Sequence, residues 1–154
     1  MSRKRCNGPW RRSAKFSQRL QIVFPVHPRT KARIENLGYR FDSSDRFFAI
    51  PPTGYLECLA LQQRARVVVT DSGGLQEETT VLGVPCLTVR KNTERPVTVT
   101  HGTNTLVGTN TLVGTEMDLL RCEVDRVLSG HGKGGRIPSL WDGSASERIA
   151  SNSE

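Results

Sequence analysis

Several features that define common protein classes are missing from this sequence. No run of about 20 apolar residues occurs, so we predict no membrane-spanning helix. The basic amino-terminal stretch has no apolar core of the kind found in secretory signal peptides. The four cysteines form no C-x-x-C pair and do not have the spacing of a zinc site. We therefore expect no metal site, and we expect reduced thiols in a cytoplasmic protein.

Aromatic residues make up only 6% of the chain, and no acidic residue precedes Glu35. Ten Lys and Arg residues lie before that acid, while the formal net charge of the whole chain is +7. A basic stretch of this kind is compatible with nucleic-acid binding. No aromatic-interleaved or groove-reading motif accompanies it, so a disordered, solvated extension over residues 1–19 is the favoured interpretation. A basic nucleic-acid-binding protein is the less favoured alternative.

The remaining residues are enough for one domain, which we predict over 20–150, with 151–154 as a tail. Its centre is a strand–turn–helix segment. Val67–Val69 are consecutive β-branched residues, which predicts a short, fully buried strand. Asp71–Gly74 break this run and turn the chain sharply. Leu75 then begins a helical pattern.

This junction has two interpretations. In an α/β domain it lies at the carboxyl edge of the sheet, where ligands bind. The helix start offers unpaired N–H groups, Gly73 and Gly74 allow close approach, and Ser72 adds a hydroxyl, so a phosphate or diphosphate fits there. In the second interpretation the glycines only make a tight turn, and Glu77 and Glu78 stabilise the helix dipole without a ligand.

Further strands and helices alternate along the chain. This alternation predicts an α/β fold with a Rossmann-like parallel sheet and helices on both faces. We predict strands at 21–26, 47–50 and 86–90, helices at 29–37, 55–63 and 116–128, a last helical turn at 146–150, a polar loop from residue 91 and a Gly-rich linker at 129–135. The side chains predicted to face inward are Ala32, Ile34, Leu37, Leu56, Leu59, Ala60, Leu119, Leu120, Val124, Val127 and Leu128.

A six-residue direct repeat, Gly-Thr-Asn-Thr-Leu-Val, occupies 102–107 and again 108–113. Two copies of so short a unit cannot make a solenoid. We expect one copy to form a strand and the other to bulge out or replace it.

Several motifs, taken in order, resemble the carboxyl-terminal half of the non-hydrolysing UDP-N-acetylglucosamine 2-epimerases. The resemblance covers residues 20–150. It is carried by Pro-Val-His-Pro at 25–28, Thr-Asp-Ser-Gly-Gly-Leu-Gln-Glu-Glu at 70–78, Leu-Gly-Val-Pro at 82–85, Arg90, Thr-Glu-Arg-Pro at 93–96, the repeat, and Trp-Asp-Gly-Ser-Ala-Ser-Glu-Arg-Ile at 141–149.

The resemblance implies one half of a GT-B fold, in which two Rossmann-like halves face a cleft. The family interconverts UDP-GlcNAc and UDP-ManNAc by eliminating UDP and adding it back, and this chemistry needs no cofactor. Ser72, Gly73 and Gly74 match the turn that binds the diphosphate. Glu78 matches the acid that accepts hydrogen bonds from the ribose hydroxyls.

Four further residues receive roles from the resemblance. His27 matches a catalytic histidine near the diphosphate, where it would stabilise charge on departing UDP. Arg95 and Glu94 fall in the loop that lines the sugar–phosphate side. Tyr55 is retained near the uracil, but Cys58 stands where the family usually has an aromatic residue, and this weakens packing on the base.

Acids that transfer the proton at C2 come from the family's first half, and no acid of this sequence stands at a matched position. We therefore expect a UDP-binding domain that is incomplete by itself, with little or no turnover, and a possible amino-terminal-half chain or a second copy as partner. A non-catalytic nucleotide-sugar-binding module is the alternative.

Overall fold

The computed structural model describes residues 20–38, 46–108 and 115–151. The chain divides into two compact units, Met1–Cys58 and Leu59–Glu154. Strands and helices alternate as predicted. Their order is β1 (Ile22–Pro25), α1 (Pro28–Asn36), β2 (Phe47–Ile50), α2 (Tyr55–Arg64), β3 (Val68–Thr70), α3 (Gly73–Leu82), β4 (Cys86–Thr88), α4 (Pro96–Thr100), β5 (Asn104–Leu106), α5 (Thr115–Arg126) and α6 (Ala145–Ser151). A π-helical turn, Val127–His131, directly follows α5.

The first unit contains a two-stranded parallel sheet. Strand β1 pairs with β2 from Ile22 opposite Phe47 to Pro25 opposite Ile50. Helix α1 connects these strands, and the predicted helix is confirmed. It begins at a proline, whose fixed φ suits the first helical position.

The predicted inward face of α1 is only partly correct. Ile34 is buried, but Ala32 is exposed and Leu37 is 71% exposed. Leu37 lies at the C-cap, beyond the last helical residue, so the helical period no longer sets its direction. Gly38 follows with φ +76° and ends the helix as predicted.

Helix α2 confirms the predicted 55–63 segment, but its buried face is different. Leu56 is 74% exposed and Ala60 is also exposed, whereas Gln62 is buried. The amide of Gln62 donates a hydrogen bond to Glu78, which offsets the cost of burying a polar group. Hydrophobic periodicity alone cannot detect a buried position of this kind.

The second unit contains a three-stranded parallel sheet in the order β3-β4-β5. Val68 stands opposite Cys86, and Cys86 stands opposite Asn104. The central strand is buried at all three positions. Cys86 is a small core residue as predicted, and burial raises the pKa of its thiol. Val107, Leu120 and Val124 complete much of this core.

The prediction of a fully buried strand at 67–69 is wrong. The strand is Val68–Thr70, and Val69 is 47% exposed. Strand β3 is an outer strand of its sheet, so its side chains alternate between the core and the surface. Thr70, not a valine, is the buried member of the strand.

The remaining expectations concern α5, the 91–96 loop, the repeat and the amino-terminal extension. Leu120, Val124 and Val127 are buried as predicted, but Leu119 is 44% exposed. The predicted 91–96 loop leads into α4, a short helix that the sequence analysis missed. The first repeat copy contains β5, and residues 109–113 of the second copy lie outside the described residues. The predicted extension 1–19 also lies outside them.

The predicted Gly-rich linker at 129–135 is not a free linker. Its carboxyl-terminal part packs against the segment that connects α4 and β5. The Lys133 ammonium donates to the backbone oxygens of Val99 and Asn104, the latter at 3.0 Å. Partial burial lowers the pKa of Lys133. These contacts fix the segment that follows His131 against α4 and β5.

Gly135 lies in close contact with backbone. A Cβ at this position would lie 2.5 Å from the carbonyl carbon of Gly102 and 2.6 Å from the nitrogen of Thr103. Backbone atoms cannot give way as the end of a side chain can, so a substitution here must move one segment. At the adjacent Gly134, no atom of the described residues lies within 4 Å of such a Cβ.

No helix in the segments 20–38, 46–108 and 115–151 combines the length and the apolar character that crossing a membrane requires.

We predict that Gly135→Ala lowers the free energy of unfolding by about 2 kcal/mol or more, because the added methyl collides with backbone. Gly134→Ala is the matched control and is expected to change it by less than about 0.5 kcal/mol. Urea unfolding followed by circular dichroism measures both. Equal stability of the two variants would contradict the close packing described here.

Candidate functional site

The turn between β3 and α3 leaves the start of the helix open. Ser72 is the N-cap residue, with φ −83° and ψ 134°, and its side chain makes no capping hydrogen bond to the described residues. Its own N–H donates to Thr70 Oγ1 at 2.9 Å. The exposed hydroxyl of Ser72 and the first N–H groups of α3 therefore remain available to an acceptor.

The two glycines at the start of α3 differ in their surroundings. Gly74 is exposed, and a Cβ built there would have no described atom within 4 Å. A Cβ on Gly73 would lie 2.7 Å from Glu94 Oε1. The space beside Gly74 is thus open, while a carboxylate from the 91–95 loop reaches Gly73. The helix dipole favours a negatively charged hydrogen-bond acceptor at this position.

Two exposed ion pairs surround this helix start. Arg90 Nη1 contacts both oxygens of Glu94, at 2.9 and 3.1 Å, and Arg95 Nε lies 2.9 Å from Glu77 Oε1. The hydrogen bond from its own backbone N–H, followed by that from Arg90, lowers the pKa of the Glu94 carboxyl. Exposed ion pairs of this kind contribute little to stability. Their partners can therefore exchange when another charged group arrives.

Glu78 lies one turn further along α3 than Gly74. It is half-buried, and its Oε2 accepts a hydrogen bond of 2.5 Å from Gln62 Nε2. The buried Gln62 thus fixes the direction of the Glu78 carboxylate. Neither the role of Gln62 nor its burial was predicted from the sequence.

Gln76 is fully buried behind the turn and joins it to the 91–95 loop. Its Nε2 donates to the backbone oxygen of Ser72 at 3.2 Å. Its Oε1 accepts from the Thr93 hydroxyl at 2.6 Å and from Asn104 Nδ2 at 2.9 Å. Donor and acceptor capacity of this amide are both used.

Asn104 connects Gln76 to the sheet and to α4. Its Nδ2 also donates to Thr98 Oγ1 at 3.1 Å, and its Oδ1 accepts from Thr88 Oγ1 at 2.7 Å. Asn104, Thr88 and Thr98 are all 0% exposed. Asparagine is disfavoured in strands, so an Asn in a predicted strand next to a site is the signal that could have revealed this network.

The structure therefore brings together most of the predicted site residues. Ser72, Gly73 and Gly74 form the turn, Glu94 and Arg95 stand beside it, and Glu78 follows on the same helix. No group of three His, Cys, Asp or Glu side chains with metal-binding geometry occurs among residues 20–38, 46–108 and 115–151.

His27 and Tyr55 belong to the first unit. His27 is the N-cap of α1, and its Nδ1 accepts the Arg29 N–H at 3.2 Å. A neutral His27 ring therefore carries its proton on Nε2, which is left to serve as a donor. Tyr55 is 65% exposed at the start of α2. The roles of both residues stay predictions.

The chain also matches a protein-family model along nearly its whole length. The model, described as UDP-N-acetylglucosamine 2-epimerase, matches residues 9–153. The chain belongs to this family. The match confirms the resemblance found in the sequence motifs, and it extends into the 1–19 segment that we predicted as an extension.

Individual epimerases give the same result. A UDP-N-acetylglucosamine 2-epimerase of Methanocaldococcus jannaschii is 52% identical over 88 residues, which are 56% of this chain and 24% of that protein. The solved structure of the enzyme from that organism, in complex with UDP-GlcNAc and UDP, is 34% identical, with a TM-score of 0.70. That of Neisseria meningitidis, bound to UDP-GlcNAc, is 28% identical, with a TM-score of 0.74.

Both structural matches cover 93% of this chain but 38% of the solved chain. This epimerase-family chain thus spans about a quarter of the curated relative and less than two fifths of the solved proteins. The predicted α/β class is confirmed, with parallel sheets flanked by helices as in one half of a GT-B epimerase.

We predict that Asn104→Leu lowers the free energy of unfolding by about 2 kcal/mol or more, because the Thr88 hydroxyl loses its acceptor inside the core. Asn92→Leu makes the same chemical change at an exposed loop position and should alter it by less than about 0.5 kcal/mol. Chemical unfolding of both variants tests this. If the Asn104→Leu variant were as stable as the Asn92→Leu control, the hydrogen-bond network would contribute little to the free energy of unfolding.

Proposed function

We propose that this chain binds the UDP part of UDP-GlcNAc or UDP-ManNAc at the turn formed by Ser72, Gly73 and Gly74. The observation that carries the proposal is the open start of α3, where no side chain caps the helix within the described residues and Gly74 has free space beside it. A diphosphate supplies the acceptor oxygens and the negative charge that this helix start attracts. Similar solved epimerases hold UDP-GlcNAc, which supports the choice of ligand.

The ion pairs beside the turn would rearrange when UDP binds. Arg95 would turn from Glu77 to the phosphates, where its planar guanidinium can donate two parallel hydrogen bonds. Glu94 would move away from Gly73, since its carboxylate lies beside this glycine and would repel the negative charge of the diphosphate. Both movements involve exposed side chains, so they cost little.

Glu78 would bind the ribose. A carboxylate accepts hydrogen bonds from two adjacent hydroxyls, and this one lies about a helical turn beyond the phosphate turn. Gln62 holds one of its oxygens and thereby directs the other. His27, through Nε2, and Tyr55 are proposed for the leaving phosphate and the uracil on the strength of the family resemblance.

This binding mode also suggests how the chain would assist the reaction. When the C1–oxygen bond breaks, negative charge develops on the departing UDP. Fixed amides at a helix start stabilise such charge without having to reorient. We therefore propose that this region is the leaving-group side of an epimerase, while the C2 proton is transferred by acids that have no match among the acids of this sequence.

We predict that Gly74→Ala weakens UDP binding at least tenfold and leaves the unfolding midpoint unchanged or raised. The methyl group meets open space and suits a helix better than glycine. The same methyl group blocks the approach of phosphate oxygens to the amide. Calorimetric titration with UDP, paired with thermal unfolding, measures both effects. Unchanged UDP affinity would refute the proposed binding turn.

We predict that the chain alone does not exchange the C2 proton of UDP-GlcNAc in deuterated water. Proton NMR of the C2 signal follows the exchange over hours. The full-length Methanocaldococcus jannaschii epimerase serves as the positive control. Exchange by this chain at a comparable rate would mean that its own acids perform the proton transfer, and the division of roles proposed here would be wrong.

A further inference from the structure

We propose that Thr93 and Gln76 are positioning residues, which hold the loop that carries Glu94 and Arg95 against the start of α3. The inference rests on the proposed UDP site and adds residues to which neither the sequence motifs nor the family resemblance gave a role. Neither side chain needs to touch the nucleotide. They would act by fixing the backbone from which Arg95 reaches the phosphates.

The hydroxyl of Thr93 makes two hydrogen bonds in opposite directions. It donates to Gln76 Oε1 at 2.6 Å and accepts the backbone N–H of Arg95 at 2.9 Å. One oxygen atom thus links a buried side chain of α3 to the backbone of the loop. Loss of the Thr93 hydroxyl would break this link between Gln76 and the backbone N–H of Arg95.

The other end of Gln76 reaches the phosphate turn itself. Its Nε2 donates to the backbone oxygen of Ser72, so the side chain spans the distance between turn and loop. Asn104 Nδ2 donates to the same Oε1 as Thr93 does. Two donors therefore require the oxygen on that side, and the amide cannot be turned over without losing both bonds.

The backbone of Arg95 is fixed on both sides. Its N–H donates to Thr93 Oγ1, and its carbonyl oxygen accepts from Thr98, through the backbone N at 3.0 Å and through Oγ1 at 2.7 Å. Its guanidinium, in contrast, is exposed and paired only with Glu77 among the contacts of the described residues. The backbone of Arg95 is therefore fixed, whereas its guanidinium can change partners. A loop that is already ordered loses less entropy when a ligand binds.

A purely structural role would have a different consequence. In that case, loss of the Thr93 hydroxyl would lower stability and leave the affinity of the folded protein unchanged. If Thr93 positions Arg95, loss of the Thr93 hydroxyl weakens the contacts to the phosphates and therefore lowers the affinity for UDP. Uridine lacks both phosphates, so the ratio of UDP affinity to uridine affinity separates the two roles.

The test uses the full 154-residue chain and the variants Thr93→Val and Thr93→Ser. Valine keeps the shape of threonine and removes the hydroxyl, whereas serine keeps the hydroxyl. We expect Thr93→Val to bind UDP about tenfold more weakly, as for the loss of one well-placed hydrogen bond. Thr93→Ser should stay within about twofold of the original protein. Uridine affinity, measured by NMR titration, should be the same in all three.

Val124→Ala is the control for lost stability. Val124 is buried in the same unit and lies on α5, outside the hydrogen-bond network. This variant should lower the unfolding midpoint without changing UDP affinity at a temperature where it is folded.

The outcomes separate the two proposals. UDP binding by the original protein together with equal binding by Thr93→Val overturns the positioning role and leaves the proposed function intact. If Val124→Ala weakens UDP binding as much as Thr93→Val does, the positioning role is also overturned, since lower stability would then explain the weaker binding. Absence of UDP binding by the original protein overturns the proposed function and the positioning role with it.

Discussion

The backbone amides at the start of α3 need acceptors, and the fold leaves some of them without one from the described residues. Helix starts are usually capped by a side chain, and Ser72 has the right residue type and backbone angles to do so. Its hydroxyl instead points to no described backbone donor. The need for an acceptor gives the family resemblance a physical basis, because a diphosphate meets that need with several oxygens and two charges.

The surroundings of the turn suit a ligand that binds reversibly. Exposed ion pairs occupy the outside, and these can exchange partners at little cost. A fully hydrogen-bonded network lies behind, from Gln76 through Asn104 to Thr88. Buried polar groups that are all satisfied make a rigid support. The rigid part and the adjustable part of the site are therefore made of different residues.

Sequence reasoning was most successful where a signal is local. The strand–turn–helix at 68–82, the parallel βαβ order and the turn residues follow from β-branched runs, glycines and helical periodicity. It failed where the answer depends on distant neighbours. The exposure of Val69 depends on which strands flank β3, and the five-residue α4 is too short to show a period. Gln76 and Asn104 are 28 positions apart, so their bond appears only once the chain is folded.

The most direct test is to observe the amides of the turn themselves. Two-dimensional ¹H–¹⁵N spectra of the labelled chain, titrated with UDP, report each backbone N–H separately. We predict that the signals of Gly73 and Gly74 shift further than those elsewhere in α3, and that they move downfield as new hydrogen bonds form. Saturation with UDP while both glycine signals stay in place would contradict it, because the nucleotide would then bind somewhere else.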